Sequence, residues 1–131
     1  MKYIPTFETV KGSFQITSVK GELRVSASYD EFINFMKLVL TGVYVDEDWY
    51  LEKYPDVAEA LRDRQFSSAK HHFIENGYFE GRFPCEPVID EAWYLKRYPD
   101  VAESVRRGEF ASGLRHFVED GYREGRLPFG Y

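Results

Sequence analysis

The sequence predicts an α+β fold: an N-terminal β-hairpin of two or three strands, one apolar helix, then two tandem three-helix repeats. Three observations predict it. Residues from Phe14 to Ala27 alternate apolar and polar side chains around Lys20-Gly21, the two-residue period of a half-buried strand. Phe32–Leu40 is apolar on nearly every side and preceded by a helix-start signal. Beyond it, Val45–Cys85 aligns without a gap on Ile89–Phe129 at an offset of 44 residues, with 23 of 41 positions identical. Self-similarity at such a period marks a repeat architecture.

The elements follow in chain order. Residues 2–26 read as extended chain. Ser13–Val19 pairs with Glu22–Ser26, and Tyr3–Val10 is available as a third strand that Pro5 would confine to an edge. Ser28-Tyr29-Asp30-Glu31 spells a capping box, in which Ser28 bonds a backbone amide and Glu31 reaches back. The helix it starts runs to about Leu40, with Thr41-Gly42 as the stop. An isolated two-stranded hairpin is marginal in water. A helix so apolar is normally buried all round. Both are expected to be covered by the repeats or by a second copy of the chain, with Phe32, Phe35, Met36 and Val39 as the self-association residues of a homodimer.

In each repeat, Asp46 or Asp90 caps a first helix carrying Trp49, Tyr50 and Tyr54, or Trp93, Tyr94 and Tyr98. Pro55 and Pro99 end that helix and open the next at its first turn. Ser67 or Ser68, and Ser112, cap a third helix bearing His72-Phe73 or His116-Phe117. Gly77 and Gly121 are expected as left-handed C-caps, followed by the closing turns Glu80-Gly81-Arg82 and Glu124-Gly125-Arg126. The organisation expected is therefore 1–43, 44–87 and 88–131.

Composition bounds the function. The chain has 131 residues, 44% apolar and 18% aromatic, which excludes a disordered polymer. Its single cysteine, Cys85, excludes an intrachain disulfide and a cysteine-only metal cluster. A net charge of −5 argues against nucleic-acid binding, although residues 1–28 carry a surplus of two positive charges. No signal peptide or membrane span is visible, and the expected location is the cytoplasm.

No phosphate-binding, nucleophile-elbow or zincin motif occurs. His71, His72 and His116 raise a metal site or general base, but lack metal-ligand spacing, so the reading is no catalytic residue, no metal and no cofactor. Cys85 sits in a stiff Pro-flanked linker with no copy in the second repeat. Asp56 and Asp100 suit a helix N-terminus. Arg82 and Arg126 would hold a sugar carboxylate or phosphate, or fork onto Asp56 and Asp100 and lock each repeat closed; the second reading is favoured. The aromatics belong first to a core, then to a protein interface or a sugar platform.

The pattern W-Y-L-x-x-Y-P-D-V-A, then H-F, then G-Y-x-E-G-R-x-P resembles a short helical repeat of bacterial proteins, many of which carry glycosyltransferase, methyltransferase or other polysaccharide-assembly domains. The resemblance covers about residues 45–129. It implies an accessory role near glycan biosynthesis at the bacterial envelope. The expected function is a non-catalytic adaptor that docks on another protein, such as a glycan-assembly enzyme. Trp49, Tyr50, Tyr54, Arg82, Trp93, Tyr94, Tyr98 and Arg126 form its partner or ligand surface. The alternative is a carbohydrate-binding module using the same aromatics and arginines.

Overall fold

A computed structural model of the chain describes residues 3–131; Met1 and Lys2, the latter the first residue of the extended reading, lie outside the described residues. The fold is α+β. The chain divides into two compact units, Met1–Cys85 and Glu86–Tyr131, so the N-terminal segment and the first repeat share one unit.

The first unit begins with helix α1, Phe7–Gly12, where a third strand was expected. Local capping overrides the extended reading. The Thr6 side chain accepts a hydrogen bond from the Thr9 amide at 3.2 Å, Glu8 lies in the first turn, and Lys11 in the last turn pairs with it at 2.9 Å. Strands β1, Gln15–Val19, and β2, Glu22–Ser26, then pair antiparallel. β1 starts two residues later than the alternation suggests, because the backbone amides of Ser13 and Phe14 are still bonded to α1 carbonyls. Lys20 and Gly21 both have positive φ, 51° and 80°, the type I′ geometry that matches strand twist.

Register assigns the hairpin two unlike faces. Ile16 opposes Val25 and Ser18 opposes Leu23 on one; Gln15, Thr17, Val19, Glu22, Arg24 and Ser26 share the other. All ten strand residues are exposed.

Helix α2, Tyr29–Leu40, has the capping box in full: the Glu31 amide donates to Ser28 Oγ at 3.1 Å and the Ser28 amide to Glu31 Oε1 at 3.3 Å. Its expected all-round burial is not what forms. Only Leu40 is buried, within the core of Val45, Tyr50, Val57, Ala69 and Phe73. One side of α2 packs on the first repeat, with Lys37 Nζ 2.7 Å from Glu75. Phe35 meets Phe14 edge-on, while Phe32 and Val39 stay exposed.

The first repeat consists of α3, Glu47–Lys53; α4, Pro55–Arg62; and α5, Ala69–His72, which runs directly into a π-helical turn, Phe73–Gly77. The second unit contains α6, Glu91–Arg97; α7, Pro99–Arg106; and α8, Gly113–His116, with its π turn Phe117–Gly121. Asp46 and Asp90 cap as expected, and the prolines occupy the first turns of α4 and α7.

Gly77 and Gly121 are not left-handed caps. That conformation falls four residues later, on Gly81 and Gly125, each with φ 78°. There the Arg82 amide donates to Gly77 O and the Gly81 amide to Tyr78 O, the paired bonds of a Schellman end; Arg126 and Gly125 repeat them. Each repeat then returns to its own start. The Asp46 amide donates to Pro84 O and the Asp90 amide to Pro128 O, both at 3.0 Å.

Candidate functional site

Three constellations recur in both units, and each begins with a residue that the sequence placed on a partner surface. The first is centred on Tyr50 and Tyr94. Both are completely buried, which corrects their assignment to that surface. Their hydroxyls share hydrogen bonds of 2.9 Å with Nδ1 of His72 and His116, also buried. A ring this large fits because the π turn opens and presents a glycine. A Cβ on Gly77 would lie 2.1 Å from the Tyr50 hydroxyl, and one on Gly121 2.2 Å from that of Tyr94. These glycines serve close approach rather than an unusual backbone angle.

Burial dominates the electrostatics of this pair. It raises the Tyr50 phenol above its ordinary range and pushes Tyr94 up to about 12. It also lowers the His72 imidazole below the usual histidine range, so the neutral form is favoured. Phe66 and Phe110 stand edge-on to the two imidazoles. The tyrosine–histidine couple thus satisfies two buried polar groups with each other.

The second constellation is the closing clamp. Arg82 Nη1 and Nη2 donate to the two carboxylate oxygens of Asp56 at 2.9 and 2.7 Å, and its Nε donates to Glu80 at 2.7 Å. Arg126 makes the same bonds to Asp100, at 2.9 and 2.6 Å, and to Glu124, at 2.7 Å. Each guanidinium lies 4.9 Å over the ring of Tyr54 or Tyr98. The hydroxyls of those tyrosines accept from the amides of Phe83 and Leu127. The arginine hydrogen bonds hold both aspartates below the usual carboxylate range. Tyr54, Tyr98, Arg82 and Arg126 are therefore engaged inside their own repeats.

The third is the tryptophan rim. Trp49 and Trp93 are half-buried, each edge-on to its tyrosine at 6.1 and 6.2 Å. Beside them lie shallow hollows of about 310 Å³, lined by Trp49, Glu52 and Lys53, and about 360 Å³, lined by Trp93, Lys96 and Arg97. Of the eight surface residues expected from sequence, these two retain an open aromatic rim.

The N-terminal segment is unlike all three. Ile16, Leu23 and Val25 share one face of the hairpin and are 44%, 75% and 64% exposed. On α2, Phe32 and Val39 are 47% and 38% exposed and lie seven positions apart on one helix face. Phe35 and Met36 are only partly exposed. The strand residues were absent from the expected surface, although their alternation is plain in the sequence. Which face lies open depends on what fails to pack there.

Sequence reading also missed Glu47 and Glu91. The Glu47 carboxylate accepts from the amides of Ala69 and Lys70 at 2.8 and 3.1 Å, and Glu91 accepts from those of Gly113 and Leu114. Each glutamate caps a helix that starts 22 residues downstream, a partnership no local pattern announces. Among the described residues, no group of three or more His, Cys, Asp or Glu is placed to hold a metal ion, and no helix is long and apolar enough to cross a membrane. No protein-family model matches the chain, and neither a curated protein nor a solved structure gives a match.

Proposed function

We propose that the chain is a non-catalytic protein-interaction module of the cytoplasm, whose N-terminal segment docks on its partner. The observation that carries this reading is the amphipathic hairpin, with Ile16, Leu23 and Val25 on one open face. Large exposed apolar patches mark interaction sites. The side chains of the repeats best suited to chemistry support it as well. Histidine bonds tyrosine, and arginine bonds aspartate, within each unit. The resemblance of the repeats supports a role beside polysaccharide assembly in a bacterium, with a glycan-assembly enzyme as the partner.

The test is capture by tagged protein, comparing the native chain with Leu23→Glu/Val25→Glu, whose folded content is checked by circular dichroism. One protein retained in stoichiometric amount by the native chain and lost by the variant is expected. Equal retention by both would overturn the assignment to the hairpin.

A second reading rests on the two tryptophan hollows, which occupy equivalent places in both repeats. Indole faces stack on sugar rings, and Lys96 and Arg97 would favour an acidic sugar in the second. Saturable quenching of tryptophan emission by acidic oligosaccharides is the expected sign. No quenching at millimolar ligand removes it.

A further inference from the structure

We infer that β2 is a self-pairing edge: two copies of this chain join antiparallel through it, making one four-stranded sheet about a two-fold axis. The inference rests on the docking role given to the hairpin above: it assigns the free β2 edge to a second copy and leaves the apolar face of the sheet to the other protein.

Three features lead to a second copy. The first is stability. A lone two-stranded hairpin is marginal, and three or more strands are needed for independent stability. Here all ten strand residues are exposed, and among the described residues the sheet has only two strands.

The second is the direction of the free backbone groups. The two-residue turn makes Val19–Glu22 the closing, hydrogen-bonded pair. Bonded and non-bonded pairs alternate along an antiparallel ladder, so the next residue of β2, Leu23, points its N–H and C=O outward. Val25 does the same. The free edge of β2 therefore carries its unpaired groups on the two apolar residues.

The third feature is charge. β2 reads Glu22, Leu23, Arg24, Val25, Ser26. A two-fold axis through Leu23 sets the two Leu23 residues against each other as a bonded pair. It also places Glu22 of each copy opposite Arg24 of the other. A two-residue slip, with the axis through Arg24, would oppose the two arginines, which is unfavourable. The strand is thus complementary to itself in one antiparallel register. β1, with Gln15, Ile16, Thr17, Ser18 and Val19, carries no charge to choose a register.

In the paired sheet, Ile16, Leu23 and Val25 of both copies form one continuous apolar face. The sequence expectation of a homodimer thus acquires a register, and its centre moves from the helix to the strand.

The experiment is sedimentation equilibrium on the purified full chain over a wide concentration range, for the native protein and two charge variants. Glu22→Arg and Arg24→Glu each place like charges opposite one another twice. Each alone is expected to weaken dimerisation about tenfold. Mixed in equal amounts, the two variants are complementary and should form a heterodimer of native strength, and the double exchange Glu22→Arg/Arg24→Glu should restore the homodimer. Both positions are exposed, and circular dichroism confirms that the variants fold.

A native chain monomeric at every concentration would overturn the inference. So would a dimer indifferent to both charge variants, or variants that fail to rescue each other. A monomer that still retains a different protein through Leu23 and Val25 would also overturn self-pairing, while leaving the docking role intact.

Discussion

The two repeats close with the same atoms but turn the end of their second helix with different residues. After α4, the left-handed position is held by Arg64, φ 59°; after α7 it is held by Gly108, φ 77°. The paired capping bonds are otherwise equivalent: the Arg64 amide to Leu61 O and the Gln65 amide to Ala60 O, against Gly108 to Val105 O and Glu109 to Ser104 O. The tyrosine–histidine couples and the arginine clamps match to within about a tenth of an ångström. Interior contacts are thus shared by the two copies, while an exposed backbone position has diverged. A residue with a Cβ pays conformational energy at positive φ, but an exposed turn tolerates that cost where an interior overlap would not.

The largest effect is expected at the π-turn glycines. Gly77→Ala or Gly121→Ala drives a methyl into a tyrosine hydroxyl and should cost about 3 kcal/mol, read by urea denaturation. Equal losses at both sites would confirm that the two interiors are equivalent.

Removing the hydroxyl sharpens the point. Tyr94→Phe alone leaves His116 Nδ1 without its partner, at about 1–2 kcal/mol. Combined with Gly121→Ala it also creates room for the methyl. The double variant should recover about 1 kcal/mol relative to the sum of the single losses. Strict additivity would show that the clash is relieved elsewhere.

Next comes the clamp. Asp100→Asn keeps the shape but removes the charge, and the loss should stay at or below about 1 kcal/mol, because the Asp100 side chain is largely open to solvent. Asp56→Asn should match it. Both carboxyls are held below their ordinary range by the arginine bonds. This contribution is therefore present above the unfolded carboxylate value near 3.9 and lost as pH falls through the lower folded values.

The histidine acts in the opposite pH region. His72 is favoured neutral in the fold, so the unfolded chain binds a proton more readily as pH drops through about 6.5. Melting temperature should fall between pH 7.5 and 5.5, and His72→Gln should flatten that slope. An unchanged slope would move the pH dependence elsewhere.

The smallest effect is the exchange at the diverged turn. Arg64→Gly should stabilise by about 0.5–1 kcal/mol and Gly108→Arg should destabilise by a similar amount. If both are neutral, the two turns differ in sequence without differing in energy.

Much of this fold was readable in the chain because its signals are local. Ser28 and Glu31 start α2, Asp46 and Asp90 start the repeats, Lys20-Gly21 turns the hairpin, and the prolines divide helix from helix. Thr6 went unread because a single cap over a six-residue helix is weaker to the eye than the alternation around it. The site was less readable. Tyr50, Tyr54 and Trp49 share one short helix and one residue class, yet one is sealed in the core, one lies beneath an arginine and one keeps an open rim. Their fates differ by the direction in which each leaves the helix and by what stands there.

The sequence by itself determined the starts at Ser28, Asp46 and Asp90, the Lys20-Gly21 turn and the 44-residue duplication, because these signals are local or written twice; it favoured the Arg82–Asp56 and Arg126–Asp100 locks because both residues recur in both copies. Tertiary structure alone decided that Gly77 and Gly121 make room for a hydroxyl, that Glu47 and Glu91 cap distant helices, and that the hairpin leaves its apolar face open. Those outcomes depend on which surfaces meet, and burial is a property of the packed chain rather than of any residue in it.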